Sequence, residues 1–225
     1  VVSRTRELAA GGRAVEVEPE RLTGFLQRFA AEHGGVLSTT VSPRRVDVAA
    51  GDGSRASIPV PFGPLVALTG QRAGLAVDDL LDHLMVPRLI GLLLVRLGGY
   101  SIGVARAGVV LTSSTGSRPV HSRSAAGGQS QQRFARRRDN QARVALRAAA
   151  DTAARVLLPR AAELDGLVLG GDTAALRTLA ADPQLATLLA RAERRVLDIP
   201  EPRRVVLDQA AQRARCVEIQ LIPGG

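Results

Sequence analysis

The chain has 225 residues, enough for one large domain or two smaller ones around a substantial core. Hydrophobic residues make up 45% but aromatics only 2%, so the core is expected to be Leu, Val, Ile and Ala, and the single cysteine, Cys216, excludes an intrachain disulfide framework or a cysteine-based zinc site. The formal net charge is +9 and all 30 basic residues are arginine, a balance that points to phosphate-bearing partners.

Residues 1–13 read as a polar lead-in without the pattern of a secretory signal. Pro19 suits a first helical turn, and Leu22, Phe25, Leu26 and Phe29 follow at helical spacing until Gly34-Gly35 stops the run. Residues 36–41 and 45–49 read as strands around the Ser42-Pro43 turn. Gly51-Asp52-Gly53 leads to another strand near residues 57–60, and the proline-rich stretch 59–64 reads as a loop. Residues 75–85 read as a helix with Asp78 and Asp79 in its first turn, where the helix dipole favours acids over a metal-site role.

From residue 87 the texture changes. Residues 89–97, 100–107 and 109–114 are three apolar or alternating runs separated by Gly98-Gly99 and Gly108, the pattern of a β-meander. The longest apolar stretch, residues 84–95, is broken by Pro87 and Arg88 and is too short for a membrane span, so a cytoplasmic location is expected. Residues 118–123 suit a fourth, polar strand. Residues 130–157 contain no Gly or Pro and much Ala, which predicts a long helix ending at Pro159. Residues 166–169 read as a buried strand, 173–181 as a helix capped by Asp172 or Thr173, and 185–195 as another helix. A strand at 196–199, a helix at 203–213 and a strand at 216–222 follow. The succession implies a mixed α/β or α+β fold, helices on a largely antiparallel sheet, divided into residues 1–86 and 87–225.

The long helix separates its chemistry by face. At about 100° per residue, Arg133, Arg136, Arg137, Asn140, Arg143, Arg147 and Arg155 share an arc of roughly 120°. Phe134, Ala145, Ala149, Thr152 and Val156 lie on the adjoining apolar face. Residues 118–147 hold eight arginines and one acid, Asp139. A merely solvated face normally carries compensating acids one turn away, so the stripe is read as a phosphate-binding surface. Arg118 and Arg123, with His121 as a polar neighbour rather than a catalyst, extend it toward the preceding stretch.

Between them stands Gly127-Gly128-Gln129. Two glycines let a backbone approach a ligand with no Cβ in the way. Gln129 offers a neutral amide and its own N–H, able to orient a water and stabilise developing oxygen charge but unable to act as a general base. Ser124 and Ser130 flank the loop without a His/Asp set to activate either. The tripeptide alone is also compatible with a plain surface loop.

The longer segment GGQSQQRFARRR, residues 127–138, resembles the Gly-Gly-Gln segment of eukaryotic and archaeal class-1 peptide release factors, whose catalytic loop likewise runs into a long helix. GLVLGGDTAALRTL, from residue 166, resembles the strand, glycine turn and helix that follow in that family. The chain lacks lysine altogether, and so lacks the Asn-Ile-Lys-Ser codon-reading motif, and no counterpart of the partner-binding third domain is expected. The better resemblance is to the Vms-like release factors of ribosome quality control, in their actinobacterial branch. It covers about residues 87–222. It implies a ribonuclease H-like mixed sheet with flanking helices and a protruding Gly-Gly-Gln loop. The implied activity is codon-independent peptidyl-tRNA hydrolysis on stalled large subunits. The resemblance makes Gly127, Gly128 and Gln129 catalytic. It makes Arg118, His121, Arg123, Arg133, Arg136, Arg137, Arg143 and Arg147 contacts to ribosomal RNA and P-site peptidyl-tRNA. A monomer with no cofactor and no metal is expected, and residues 1–86 would steer the protein to the ribosome. Two alternatives stay open: a non-enzymatic ribosome-binding protein, and a free-standing peptidyl-tRNA hydrolase acting off the ribosome.

Overall fold

The computed structural model describes residues 4–9, 11–96, 99–117 and 130–224, with side chains from residue 141 onward in the helix that begins at Ser130. In chain order the elements are β1 (Thr5–Glu7), β2 (Arg13–Val17), α1 (Leu22–Glu32), β3 (Val36–Ser42), β4 (Arg45–Ala50), β5 (Arg55–Pro59), β6 (Gly70–Ala73) and α2 (Asp78–Met85). These are followed by β7 (Leu89–Arg96), β8 (Gly99–Arg106), β9 (Val109–Ser117), α3 (Ser130–Leu157), β10 (Gly166–Gly171) and α4 (Thr173–Ala180). Last come α5 (Ala186–Leu189), β11 (Ala192–Leu197), α6 (Arg204–Arg215) and β12 (Val217–Ile222). The fold is mixed α+β, as the sequence implies. It forms two compact units, Val1–Pro87 with Arg213–Gly225, and Arg88–Gln212.

The first unit is a seven-stranded antiparallel sheet in the order β1-β2-β12-β5-β4-β3-β6. Its strands alternate: Val46, Val48 and Ala50 of β4 are buried while Arg45, Asp47 and Ala49 face the other way. Leu22, Leu26 and Phe29 of α1 and Leu80 and Leu84 of α2 pack on the buried face. Pro19 opens the turn before α1. Gly34 and Gly35 close α1 at φ 73° and 85°, and the Gly35 N–H reaches back to the Ala30 carbonyl at 2.7 Å, a helix stop that needs the left-handed backbone.

Three features of this unit differ from the sequence expectation. Residues 1–13 are not only a lead-in, since β1 forms there and β2 begins at Arg13. The three residues of β1 are all exposed, so no apolar alternation marks it; pairing with β2 defines it. The strand β6 likewise carries no apolar signal and is held by β3, with Gln71 bonded to Ser38 and Arg72 paired with Asp79 at 2.8 Å. The last strand, expected beside the second half of the chain, instead lies between β2 and β5, with Val217 opposite Val17 and Gln220 opposite Ser57. Arg213 fastens the chain there through Glu16, at 2.6 and 2.9 Å.

The second unit is a five-stranded sheet in the order β11-β10-β7-β8-β9. The meander β7-β8-β9 is antiparallel, and β10 and β11 add in parallel. Ala107 and Gly108 join β8 to β9 at φ 50° and 82°, the mirror-image two-residue turn that matches strand twist. Every residue of β7 from Leu89 to Val95 is buried, as a strand covered on both faces requires. Leu89, Leu93 and Val95 pack with α3, α4 and α5, while Leu207 of α6 comes over Gly103, where an added Cβ would stand 3.0 Å from its Cδ2.

Residues 185–195 do not form the single helix that their spacing suggests. Leu185, Leu188, Leu189 and Ala192 follow a helical pattern, yet α5 is one short turn and β11 begins at Ala192. Pairing with β10 wins over the local pattern, and Arg191 pins the junction by donating to the Ala161 and Leu164 carbonyls at 2.8 and 2.6 Å. The strand read at 196–199 accordingly begins earlier and ends at Leu197. Residues 118–123, read as a fourth strand, lie outside the described residues. Among the described residues no helix is long and apolar enough to cross a membrane.

Candidate functional site

Among the described residues strand β9 is the edge of the second sheet, and it ends at Ser117; α3 begins at Ser130. The segment carrying Gly127, Gly128 and Gln129 therefore connects an edge strand to the start of a 28-residue helix, about 42 Å long. Gly127, Gly128, Gln129, Arg118, His121 and Arg123 lie outside the described residues. Arg133, Arg136 and Arg137 belong to α3, with side chains outside the described ones.

The described half of α3 divides by face as the wheel requires. Ala145, Ala149, Ala150, Thr152, Ala153 and Leu157 are buried, and their small size lets the helix lie close on the sheet. Thr152 also donates to the Tyr100 hydroxyl at 3.3 Å. On the opposite side Arg143, Arg147, Asp151 and Arg155 are exposed at successive turns.

Two of these positions refine the expected stripe. Asp151 falls on the same face and pairs with Arg147 at 3.2 Å, so a compensating acid is present one turn on. The stripe read from the sequence runs on to Arg155 and passes over this acid, which weakens the argument from missing compensating charges. Arg155 turns toward the sheet and donates to Ser114 of β9 at 3.3 Å, which makes the end of the stripe a structural tie. Arg143 and Arg147 remain as the described arginines of the expected phosphate face.

They also border a groove that sequence reasoning missed. It is lined from α3 by Ala142, Arg143, Leu146, Arg147 and Ala150, and from α4 and its end by Thr178, Leu179 and Asp182. The placement of α4 explains the approach. Asp172 caps the helix by accepting from the Ala174 and Ala175 N–H groups, and Leu176 and Leu179 anchor it in the same core as Ala149 and Ala153. Asp182 then caps the next turn through the Gln184 N–H at 2.9 Å. In the sequence Asp182 reads only as a helix end before Pro183; nothing local places it beside α3.

Elsewhere several titratable groups are engaged in structure. His33 bonds Asp52 at 2.8 Å, His83 bonds the Pro61 carbonyl at 2.9 Å, and Asp79 in the first turn of α2 is held by Arg72. Among the described residues no three His, Cys, Asp or Glu side chains come together to hold a metal.

No curated protein matches the chain. An archaeal translation termination factor aligns over 88% of this chain and 73% of its own at 14% identity and a TM-score of 0.37. A second structure, described only as an archaeal protein, aligns over the same shares at 14% identity and 0.36. A family model of the actinobacteria/chloroflexi VLRF1 release factors matches residues 88–220. That span runs from the foot of β7 through the Gly-Gly-Gln tripeptide and the arginine-bearing helix into β12, and with it the chain belongs to the actinobacteria/chloroflexi VLRF1 release factor family.

Proposed function

We propose that this release factor is a codon-independent peptidyl-tRNA hydrolase that frees nascent chains from stalled ribosomal large subunits. The observation that carries the reading is the Gly127-Gly128-Gln129 tripeptide inside the family span, between β9 and an arginine-bearing helix. Arg143 and Arg147, with Arg133, Arg136 and Arg137 earlier on the same helix and Arg118, His121 and Arg123 before the tripeptide, supply the contacts to ribosomal RNA and the tRNA acceptor end.

The chemistry is ester hydrolysis. Gly127 and Gly128 bring the backbone close to the reacting centre. Gln129 orients a water toward the ester carbonyl carbon, and its N–H stabilises the oxygen charge that develops as the bond to the tRNA 3′ oxygen breaks. The water delivers hydroxyl to the acyl carbon, and its proton goes to the departing 3′ oxygen. The side chains offer no strong base for that transfer, so ribosomal RNA and the tRNA sugar complete the site, and the protein alone should be nearly inert toward free peptidyl-tRNA.

The test is release of labelled nascent peptide from P-site peptidyl-tRNA on purified large subunits with an empty A site. Wild type should release it, and Gln129→Ala should be slower by roughly tenfold or more. Equal rates would remove the amide from the mechanism. Release by neither would leave a ribosome-binding protein, and cleavage of purified peptidyl-tRNA without subunits would make it a free-standing hydrolase.

A further inference from the structure

The groove between α3 and α4 has a volume of about 390 Å³, the size of a small-ligand site. Its deepest residues are apolar: Ala150 and Leu179 are 5% and 2% exposed, and Leu146 packs partly against the same core. Its rims differ in chemistry. On α3, Arg143 and Arg147 stand one turn apart and carry only donors, Arg147 sharing its guanidinium with Asp151 at 3.2 Å through an exposed pair. Across the groove Thr178 has committed its proton to the Ala174 carbonyl at 3.0 Å, so its hydroxyl has only acceptor capacity left. Asp182 uses one oxygen on the Gln184 N–H, and its other oxygen has no partner among the described residues. The site therefore has a cationic donor rim, an acceptor rim and an apolar floor.

That division fits a nucleotide better than a peptide. A helix about 10 Å across fills roughly 400 Å³ per turn, so the groove holds a single turn, short of the two turns that an anchored amphipathic helix needs. A nucleotide carries its acceptors on the phosphate, its donors on the base amino group and an apolar face between. RNA is read in this way wherever a base is splayed out of its stack.

We propose that this groove takes one unstacked nucleotide of RNA. The phosphate lies on Arg143 and Arg147, the base covers Leu146, Ala150 and Leu179, and an exocyclic amino group meets Thr178 and Asp182. The inference rests on the reading of the α3 face as an RNA-binding surface and adds a site of defined chemistry to it. Adenine, cytosine and guanine, which carry an amino group, should be preferred to uracil.

The experiment is a methyl NMR titration of the full chain with AMP, CMP, GMP, UMP and ribose 5-phosphate, following Leu146, Ala150 and Leu179. The methyls should shift with the three amino-bearing nucleotides, less with UMP, and not with ribose 5-phosphate. Asp182→Asn keeps an oxygen for the Gln184 N–H and turns an amide donor to the groove, so it should move the preference toward UMP. Ala142→Phe, at a partly exposed rim position, should fill the mouth, abolish the shifts and weaken large-subunit binding by about tenfold, the effect of losing one stacked base. An unchanged thermal midpoint shows that this variant is folded. Methyls unmoved by all four nucleotides, or moved equally by ribose 5-phosphate, overturn the proposal, as does a response to an acidic peptide alone. The two readings fail separately. A wild type inert in peptide release but with nucleotide-dependent shifts loses the hydrolase reading and keeps the groove. An active wild type with unmoved methyls loses only the groove.

Discussion

Replacing Arg143 and Arg147 together with alanine should weaken RNA binding while leaving the fold in place. Both side chains are exposed on α3. The Arg147 pair with Asp151 spans 3.2 Å with side chains 65% and 59% exposed, a geometry worth about 0.3–0.5 kcal/mol. The unfolding free energy should therefore change by less than about 1 kcal/mol, with the helix propensity of alanine offsetting part of the loss. Binding should change far more. Each phosphate neutralised contributes about 0.9 to the slope of log affinity against log salt, so two lost contacts lower the slope by roughly 1.8. Over a fourfold rise in salt that is about a twelvefold smaller loss of affinity than in wild type. Fluorescence anisotropy with labelled large subunits, repeated across a salt series, reads the slope directly, and urea unfolding checks the fold. A double variant that is folded and keeps the wild-type slope would refute the phosphate-binding reading of this face. Asp151→Asn sharpens the test. It removes the acid that competes for Arg147, so affinity should rise about twofold, the equivalent of the exposed pair it breaks. A fall in affinity would show that Asp151 aims Arg147 rather than occupying it.

Arg213→Ala should destabilise the first unit by about 2–3 kcal/mol, because it removes two charge-assisted hydrogen bonds to Glu16, whose side chain is only 13% exposed; a stability change of under about 1 kcal/mol in urea unfolding would refute the role of the pair. Asp172→Ala should cost about 1 kcal/mol through loss of the α4 cap while Asp172→Asn retains most of it, and equal effects of the two in thermal unfolding would remove the cap from the account. Hydrogen bonding from His33, and then from the Ser54 N–H, holds the Asp52 carboxyl below its usual value of 3.8. A lowered folded value means that the stabilisation is complete above that usual value and is lost as pH falls through the folded one. Asp52→Asn should therefore flatten the acid limb of the first unit's unfolding profile, and superimposable acid limbs would exclude the contribution.

What could be read from the chain depended on how far apart the cooperating residues lie. The β8–β9 hairpin was legible because Ala107-Gly108 sits between two alternating runs and encodes its own turn. The helix α3 was legible because residues 130–157 contain nothing that breaks it. The region of α5 and β11 was misread for the opposite reason: its leucines have helical spacing, and only the nonlocal pairing with β10 makes residues from Ala192 a strand. Strand β12 pairs with β2 across almost the whole chain, which no local pattern records. The same rule separates the two parts of the candidate site. A catalytic element that works through two glycines and one amide needs no partner side chain elsewhere in the chain, so the tripeptide can be found without the fold. Recognition of a nucleotide by Arg143 and Asp182 needs two helices held side by side by Leu176, Leu179 and the alanines of α3, and only the packed core brings them together.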